Sequence, residues 1–151
     1  DARLGTLRLQ VLVEHGLDEA LRQRITADRP TIAICVGHQL LFAGSEESPG
    51  TAALGIVPGT VGRFPAEVRV PQFGWNHVEA GPDCRLIGSG YAYFANSYRA
   101  LAAPGWATAT ATHGGPFIAA MERSNILGCQ FHPELSGAYG AALLARFLEL
   151  R

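Results

Sequence analysis

From Thr31 to Ile34 the chain runs apolar and β-branched without a polar break, the pattern of a strand buried on both faces. After Cys35, Val36 and Gly37 the period changes, and His38 to Phe42 reads as a helix. Upstream, Leu17, Leu21 and Ile25 recur at helical spacing while Asp18, Glu19, Arg22 and Arg24 fall on the opposite face, predicting an amphipathic helix. Leu9, Leu12 and Val13 predict an earlier helix at the start of the chain. Gly44 to Gly55 reads as a polar, turn-rich loop. Ile56 to Glu79 holds short β-rich runs divided by Pro58-Gly59, Gly62, Pro65, Pro71 and Gly74, predicting hairpins or edge strands.

The second half continues in strands. Tyr91 to Arg99 alternates, with Ala92 and Phe94 on one side and Tyr93 and Ala95 on the other, and a loop is expected at Asn96-Ser97-Tyr98. Trp106 to Thr112 alternates alanine with threonine, a half-exposed strand. His113-Gly114-Gly115-Pro116 is a turn into a final strand pair, Phe117 to Glu122 and Ile126 to Phe131. A last helix carries an apolar stripe of Ala141, Leu144, Phe147 and Leu148. A βαβ unit takes roughly 30 residues or more, so a parallel strand at 31–34 calls for neighbours that would precede the first helix. The expected architecture is therefore α/β, a mixed, mainly parallel sheet flanked by helices, with its first strands outside the sequence.

Composition narrows the class. The 151 residues, 48% hydrophobic and 17% charged, are enough for one domain, 1–151, with a sizeable core. A net charge of −1 gives no electrostatic case for nucleic acid or an anionic membrane. The uncharged stretch 100–121 is broken by Pro104, Gly105, Gly114, Gly115 and Pro116, so no membrane span is expected. Three cysteines without a signal peptide fit free thiols in a reducing compartment, the cytoplasm.

Two stretches carry chemistry. A strand turning straight into a helix holds its corner residue in a strained turn, and small residues at Ala33 and Gly37 allow it; the pattern Ala-x-Cys-x-Gly is the thiol counterpart of a nucleophile elbow. A helix N-terminus favours the thiolate and can lower a cysteine pKa from about 8.5 by one or more units. The Val36 N–H stands ready for an oxyanion. Later, an apolar run ends in Gln130-Phe131-His132-Pro133-Glu134, where Pro133 fixes a turn that can return Glu134 beside His132. Cys35, His132 and Glu134 thus supply nucleophile, general base and orienting acid at strand ends, where open α/β sheets bind ligands.

These motifs, with Ser45-Glu46-Glu47, Gly74-Trp75-Asn76, Tyr93-Phe94-Ala95-Asn96-Ser97-Tyr98, Phe117-Ile118-Ala119-Ala120 and Ser136-Gly137, resemble the class I (triad) glutamine amidotransferases. The resemblance is greatest to the branch serving imidazole glycerol phosphate synthase in histidine biosynthesis. It implies a flavodoxin-like fold and a glutaminase that releases ammonia from L-glutamine through a cysteinyl thioester. It implies no metal or organic cofactor, and a heterodimer with a (β/α)₈-barrel synthase subunit that uses the ammonia. Gly37, Gln39, Glu47, Asn96, Ser97 and Tyr98 would bind glutamine, with Glu47 holding its α-amino group. Trp75, Asn76, Tyr93 and Leu135 would meet the partner. A glycine-rich loop, expected in the missing upstream part, would complete the oxyanion hole. The chain departs from the residues usual in that branch at His38 (Met, though related amidotransferases also use His), Asn96 (His) and Leu135 (Lys).

Readings of another class stand beside this one. Cys35-x-x-His38 and Cys129-x-x-His132 could together hold a structural zinc in a binding module, and a catalytically silent relative kept for its interface would show the same motifs. An amidotransferase subunit serving a different synthase is a further alternative.

Overall fold

The computed structural model describes residues 13–150; the helix expected around Leu9 and Leu12 lies outside them. In chain order the elements are α1 (Leu17–Thr26), β1 (Thr31–Ile34), α2 (Val36–Leu40), β2 (Phe42–Ser45), β3 (Val57–Arg63), β4 (Gln72–Ala80), β5 (Gly90–Asn96), β6 (Tyr98–Arg99), β7 (Ala107–Thr112), β8 (Pro116–Arg123), β9 (Ile126–Cys129), a 3₁₀ turn (Pro133–Leu135) and α3 (Gly137–Leu148). A six-stranded sheet has the order β1-β9-β8-β7-β4-β5, and a three-stranded sheet the order β2-β3-β6.

The sheet is mixed, as expected, but among the described residues the balance is antiparallel. Only β1–β9 and β2–β3 pair in parallel; β3–β6, β4–β5, β4–β7, β7–β8 and β8–β9 are antiparallel. Short connections can join only antiparallel neighbours, and the turns 113–115 and 124–125 are of that kind. β1 lies at the sheet edge, paired with β9 alone among the described strands, and all four of its residues are half-buried. The central strand β8 is covered on both faces, with Phe117 to Glu122 all buried. β7 alternates as its sequence does, burying Ala109 and Ala111 and exposing Thr110 and Thr112.

Two apolar clusters hold the layers together. One is built on Phe94, Phe117, Phe131, Leu127 and Leu143, the other on Leu41, Phe42, Val57, Met121 and Ile126. The carboxylate of Glu122, 3% exposed, ties the 81–89 connection to β8 by accepting the N–H groups of Arg85 (2.6 Å), Leu86 (2.9 Å) and Ile87 (3.0 Å).

Several local expectations change. The helix after Cys35 spans Val36–Leu40, and Phe42 opens a strand instead of closing a helix, because its fully buried ring stands opposite Val57 in the β2–β3 pair. The stretch 56–79 is not a hairpin. The linker with Pro65 and Pro71 sends β3 and β4 into different sheets. Asn96-Ser97-Tyr98 is no loop either: Asn96 ends β5, Tyr98 starts β6, and Ser97 is the single residue between. α3 buries Gly140 and Leu143, whereas Ala141 and Leu148 face solvent, Leu148 at 80% exposure. The helix is rolled by a close approach at Gly140, where an added Cβ would lie 1.8 Å from the Pro133 carbonyl oxygen. In α1, Ile25 is buried, Leu17 is exposed, and Arg22 turns back to the carbonyls of Ala53 and Leu54 instead of facing water.

Candidate active site

β1 and β9 run in parallel with Ile34 opposite Cys129, so both strands release the chain at the same sheet end. Cys35 follows directly and is locked to that end: its N–H donates to the Cys129 carbonyl at 2.7 Å, and its own carbonyl accepts the Gln39 N–H at 3.1 Å. Its backbone sits at φ 52°, ψ −107°, a conformation that costs a non-glycine residue of order 1–3 kcal/mol. The strained corner expected from the sequence is therefore present. Gly37 and Ala33 face each other across the turn, where a Cβ on Gly37 would stand 3.6 Å from the Ala33 Cβ, in ordinary contact.

The chain leaving β9 supplies the other two groups. The N–H of His132 donates to the Tyr93 carbonyl at 2.9 Å, and Pro133 starts the 3₁₀ turn. That turn brings the Glu134 carboxylate to 2.7 Å from His132 Nδ1. With Nδ1 engaged by the carboxylate, Nε2 is the ring nitrogen left to face other groups. Glu134 is half exposed and His132 shielded at 22%.

A cavity of about 490 Å³ opens at Cys35 and Val36. Gln39, Glu47, Asn96, Ser97 and Tyr98, which the resemblance assigns to glutamine, line it. Gly37, His132 and Glu134 are not among its walls. Four wall residues escaped sequence reasoning: Arg63, Val70, Pro71 and Ala95. β3 and the linker after it reach the cavity only through the tertiary fold, and nothing in their spacing marks them. Gln130 was also missed as a site residue. Fully buried, it accepts from Gln39 Nε2 at 2.9 Å and points its own Nε2 toward Cys35 Sγ at 3.9 Å. A polar residue between the buried Cys129 and Phe131 was the available signal. The side-chain amide of Asn96 donates to the Tyr98 carbonyl at 2.9 Å and braces the cavity wall.

The three thiols differ in surroundings. Burial pushes the Cys129 thiol far up, aided by the Glu134 and Glu122 charges, and burial with the Glu122 charge also raises Cys84. His38 is fully buried, its ring edge-on to Phe42 at 5.5 Å, with neither nitrogen hydrogen-bonded. Burial lowers its pKa to about 3. Among the described residues no three His, Cys, Asp or Glu side chains cluster as a metal site would require.

Of the residues expected at a partner contact, Trp75 and Tyr93 stand opposite each other on one face of the β4–β5 pair. Trp75 is 58% exposed and Leu135 53%; Tyr93 is half-buried, with the rings of Phe73 and Trp75 edge-on to it at 5.7 and 6.0 Å. Phe73 and Tyr91, 73% and 63% exposed, extend this face and were not foreseen. Asn76 is occupied within the fold, donating to the Thr112 carbonyl. Among the described residues no helix is long and apolar enough to cross a membrane.

The sequence profile of the glutamine amidotransferase class-I family matches residues 14–150. Imidazole glycerol phosphate synthase hisHF, chloroplastic, of Arabidopsis thaliana is 43% identical over 148 residues, covering 93% of this chain and 25% of that protein. Imidazole glycerol phosphate synthase subunit HisH of Thermus thermophilus is 43% identical over 137 residues, covering 91% of this chain and 69% of the relative. The HisH subunit of Deinococcus radiodurans is 50% identical over 125 residues, covering 78% and 58%. A solved structure described as a glutamine amidotransferase superposes with a TM-score of 0.72 at 22% identity, over 97% of this chain and 74% of that one, a likeness of fold.

Proposed function

Because the chain belongs to the class-I glutamine amidotransferase family, we propose that it is the catalytic part of a glutaminase delivering ammonia to a synthase partner. The observation that carries the reading is the elbow: Cys35 at positive φ, hydrogen-bonded to the end of β9, whose exit carries the His132–Glu134 pair.

The chemistry follows from the arrangement. His132 Nε2 takes the Cys35 thiol proton as sulfur attacks the side-chain amide carbon of L-glutamine. Negative charge develops on the amide oxygen, toward the Val36 N–H. Collapse of the tetrahedral intermediate breaks the C–N bond, and His132 returns the proton to the departing ammonia. The same imidazole then deprotonates a water that attacks the thioester, releasing glutamate and restoring the thiol. Glu134 keeps the proton on Nδ1, so that Nε2 remains the base throughout. Glu47, Gln39, Asn96, Ser97 and Tyr98 would hold the glutamine backbone in the cavity. None of these steps calls on a metal or organic cofactor.

The partner we propose is a (β/α)₈-barrel synthase subunit making imidazole glycerol phosphate, in the cytoplasm. Supporting this, two relatives are named as subunits of that synthase, and in the plant relative the matching stretch is a quarter of one longer synthase chain. The exposed Phe73, Trp75, Tyr91 and Leu135 offer an apolar docking face. We further propose that residues 1–151 form one domain that an upstream segment completes, adding strands at the open edge of β1 and a second oxyanion donor. Losing one such donor costs roughly a hundredfold or more in rate. Glutamate release by the 151-residue chain, alone and with a barrel subunit, and by the chain restored to the relatives' length, tests this. Trace turnover by the short chain and strong, partner-dependent turnover by the restored one is expected. Turnover near ten per second by the short chain alone would overturn the missing donor, and no turnover by the restored complex would overturn the glutaminase.

A further inference from the structure

Ser136 stands at the N-cap of α3, where a serine hydroxyl ordinarily accepts an N–H from the first turn of its own helix. It makes no such bond. Instead the side chain, in a residue only 1% exposed, is directed backwards: Oγ donates to the His132 carbonyl at 2.6 Å and accepts the Tyr93 N–H at 2.9 Å. His132 N–H in turn donates to the Tyr93 carbonyl at 2.9 Å. One hydroxyl and the main-chain groups of two residues thus close a ring of three hydrogen bonds.

The physical effect is on direction. Without Ser136, His132 is tied to β5 by its N–H alone, since the other bond at its carbonyl, from the Leu135 N–H at 3.0 Å, is internal to the turn and moves with it. A second tether to β5, at the His132 carbonyl, stops the residue pivoting about that contact. The imidazole is already held at Nδ1 by Glu134, itself on the turn after His132, so the clamp at the backbone references both groups to β5. We infer that Ser136 is a positioning residue, whose hydroxyl clamps the His132 backbone to β5 and so fixes the line along which the imidazole serves Cys35. The inference rests on the Cys35–His132 chemistry proposed above. Tyr93, at the other end of the ring of bonds, also contributes its side chain to the exposed aromatic face, so the strand that holds the base is the strand a docked partner would press.

The test is the rate of Cys35 alkylation by iodoacetamide from about pH 5 to 9, read by peptide mass spectrometry with Cys84 as internal reference, in wild type, H132A, S136A and S136T. H132A slows Cys35 and moves its pH profile toward that of the reference thiol. S136A gives the same kind of change, about tenfold in rate at neutral pH, the worth of one hydrogen bond of ordinary strength. S136T, which keeps a hydroxyl, restores most of it, and the Cys84 rate stays constant in all four proteins. If S136A fails to fold, S136C, which keeps the volume and weakens both bonds, carries the same expectation. An unchanged Cys35 profile in S136A or S136C, with H132A slowed, overturns the clamp and leaves the Cys–His chemistry standing. An unchanged profile in H132A overturns both.

Discussion

Replacing His38 by methionine should remove most of one acid-side instability of this fold. The ring is fully buried with both nitrogens unpaired, so protonation in the folded state places an uncompensated charge beneath the elbow. Burial lowers its pKa from 6.5 to about 3. Between those values the unfolded chain binds the proton and the folded chain does not, so stability falls as pH drops below 6.5 and the loss is complete near 3. At 1.36 kcal/mol per pH unit the full loss is about 5 kcal/mol, and at pH 5 about 2 kcal/mol. Methionine at this position fills the space with an unbranched apolar chain that does not titrate. Urea unfolding of wild type and H38M at about pH 7.5 and 5.0 separates the effect from all other ionisations, which the two proteins share. The wild type should lose about 2 kcal/mol more than H38M over that interval. Equal losses would refute the argument and would mean that the ring finds a partner or solvent in the folded protein.

Three other outcomes are expected. G140A drives a Cβ to 1.8 Å from the Pro133 carbonyl oxygen, a backbone atom that cannot turn aside, so it should cost about 1–3 kcal/mol or more in unfolding free energy and slow glutamine hydrolysis by shifting the His132–Glu134 turn. E122A strands three N–H groups that a buried carboxylate now accepts, and thermal and urea unfolding should register about 3 kcal/mol or more, with the elbow chemistry unchanged in the protein that remains folded. L135K places a cation in the exposed aromatic face and should change the affinity for a synthase partner by titration calorimetry while leaving the Cys35 alkylation rate within about twofold of wild type, since the exposed side chain takes no part in the bonds that hold His132.

The strained corner at Cys35 and the pairing of His132 with Glu134 were legible because each ends a short-range pattern. Cys35 closes an apolar strand before a glycine, and Glu134 is returned to His132 by a single proline turn, so local sequence sufficed for both. What failed was registration between distant segments. Phe42 reads as helical by spacing, yet the Val57 contact makes it a strand. The stripe expected on α3 is displaced because helix roll is decided at Gly140, by a carbonyl seven residues earlier, and not by hydrophobic spacing. Arg63 enters the cavity wall, and Ser136 and Gln130 take up their hydrogen bonds, only after segments far apart in the chain have paired; of the three, only Gln130, polar within a buried run, carried a signal, and that signal did not say what it would touch. The aromatic face shows the same limit: alternation put Tyr93 opposite Phe94, but Phe73 and Tyr91 join it through the β4–β5 register.

Everything proposed for this site depends on Cys35 being the nucleophile toward glutamine. The direct measurement is covalent labelling of the protein, together with its synthase partner, by 6-diazo-5-oxo-L-norleucine, with the modified residue located by peptide mass spectrometry and protection by L-glutamine recorded alongside. One adduct is expected, on Cys35, formed saturably, slowed by glutamine and lost in C35A, with Cys84 and Cys129 unmodified. An adduct on Cys84 or Cys129 instead, or labelling of Cys35 that glutamine does not slow, would contradict it.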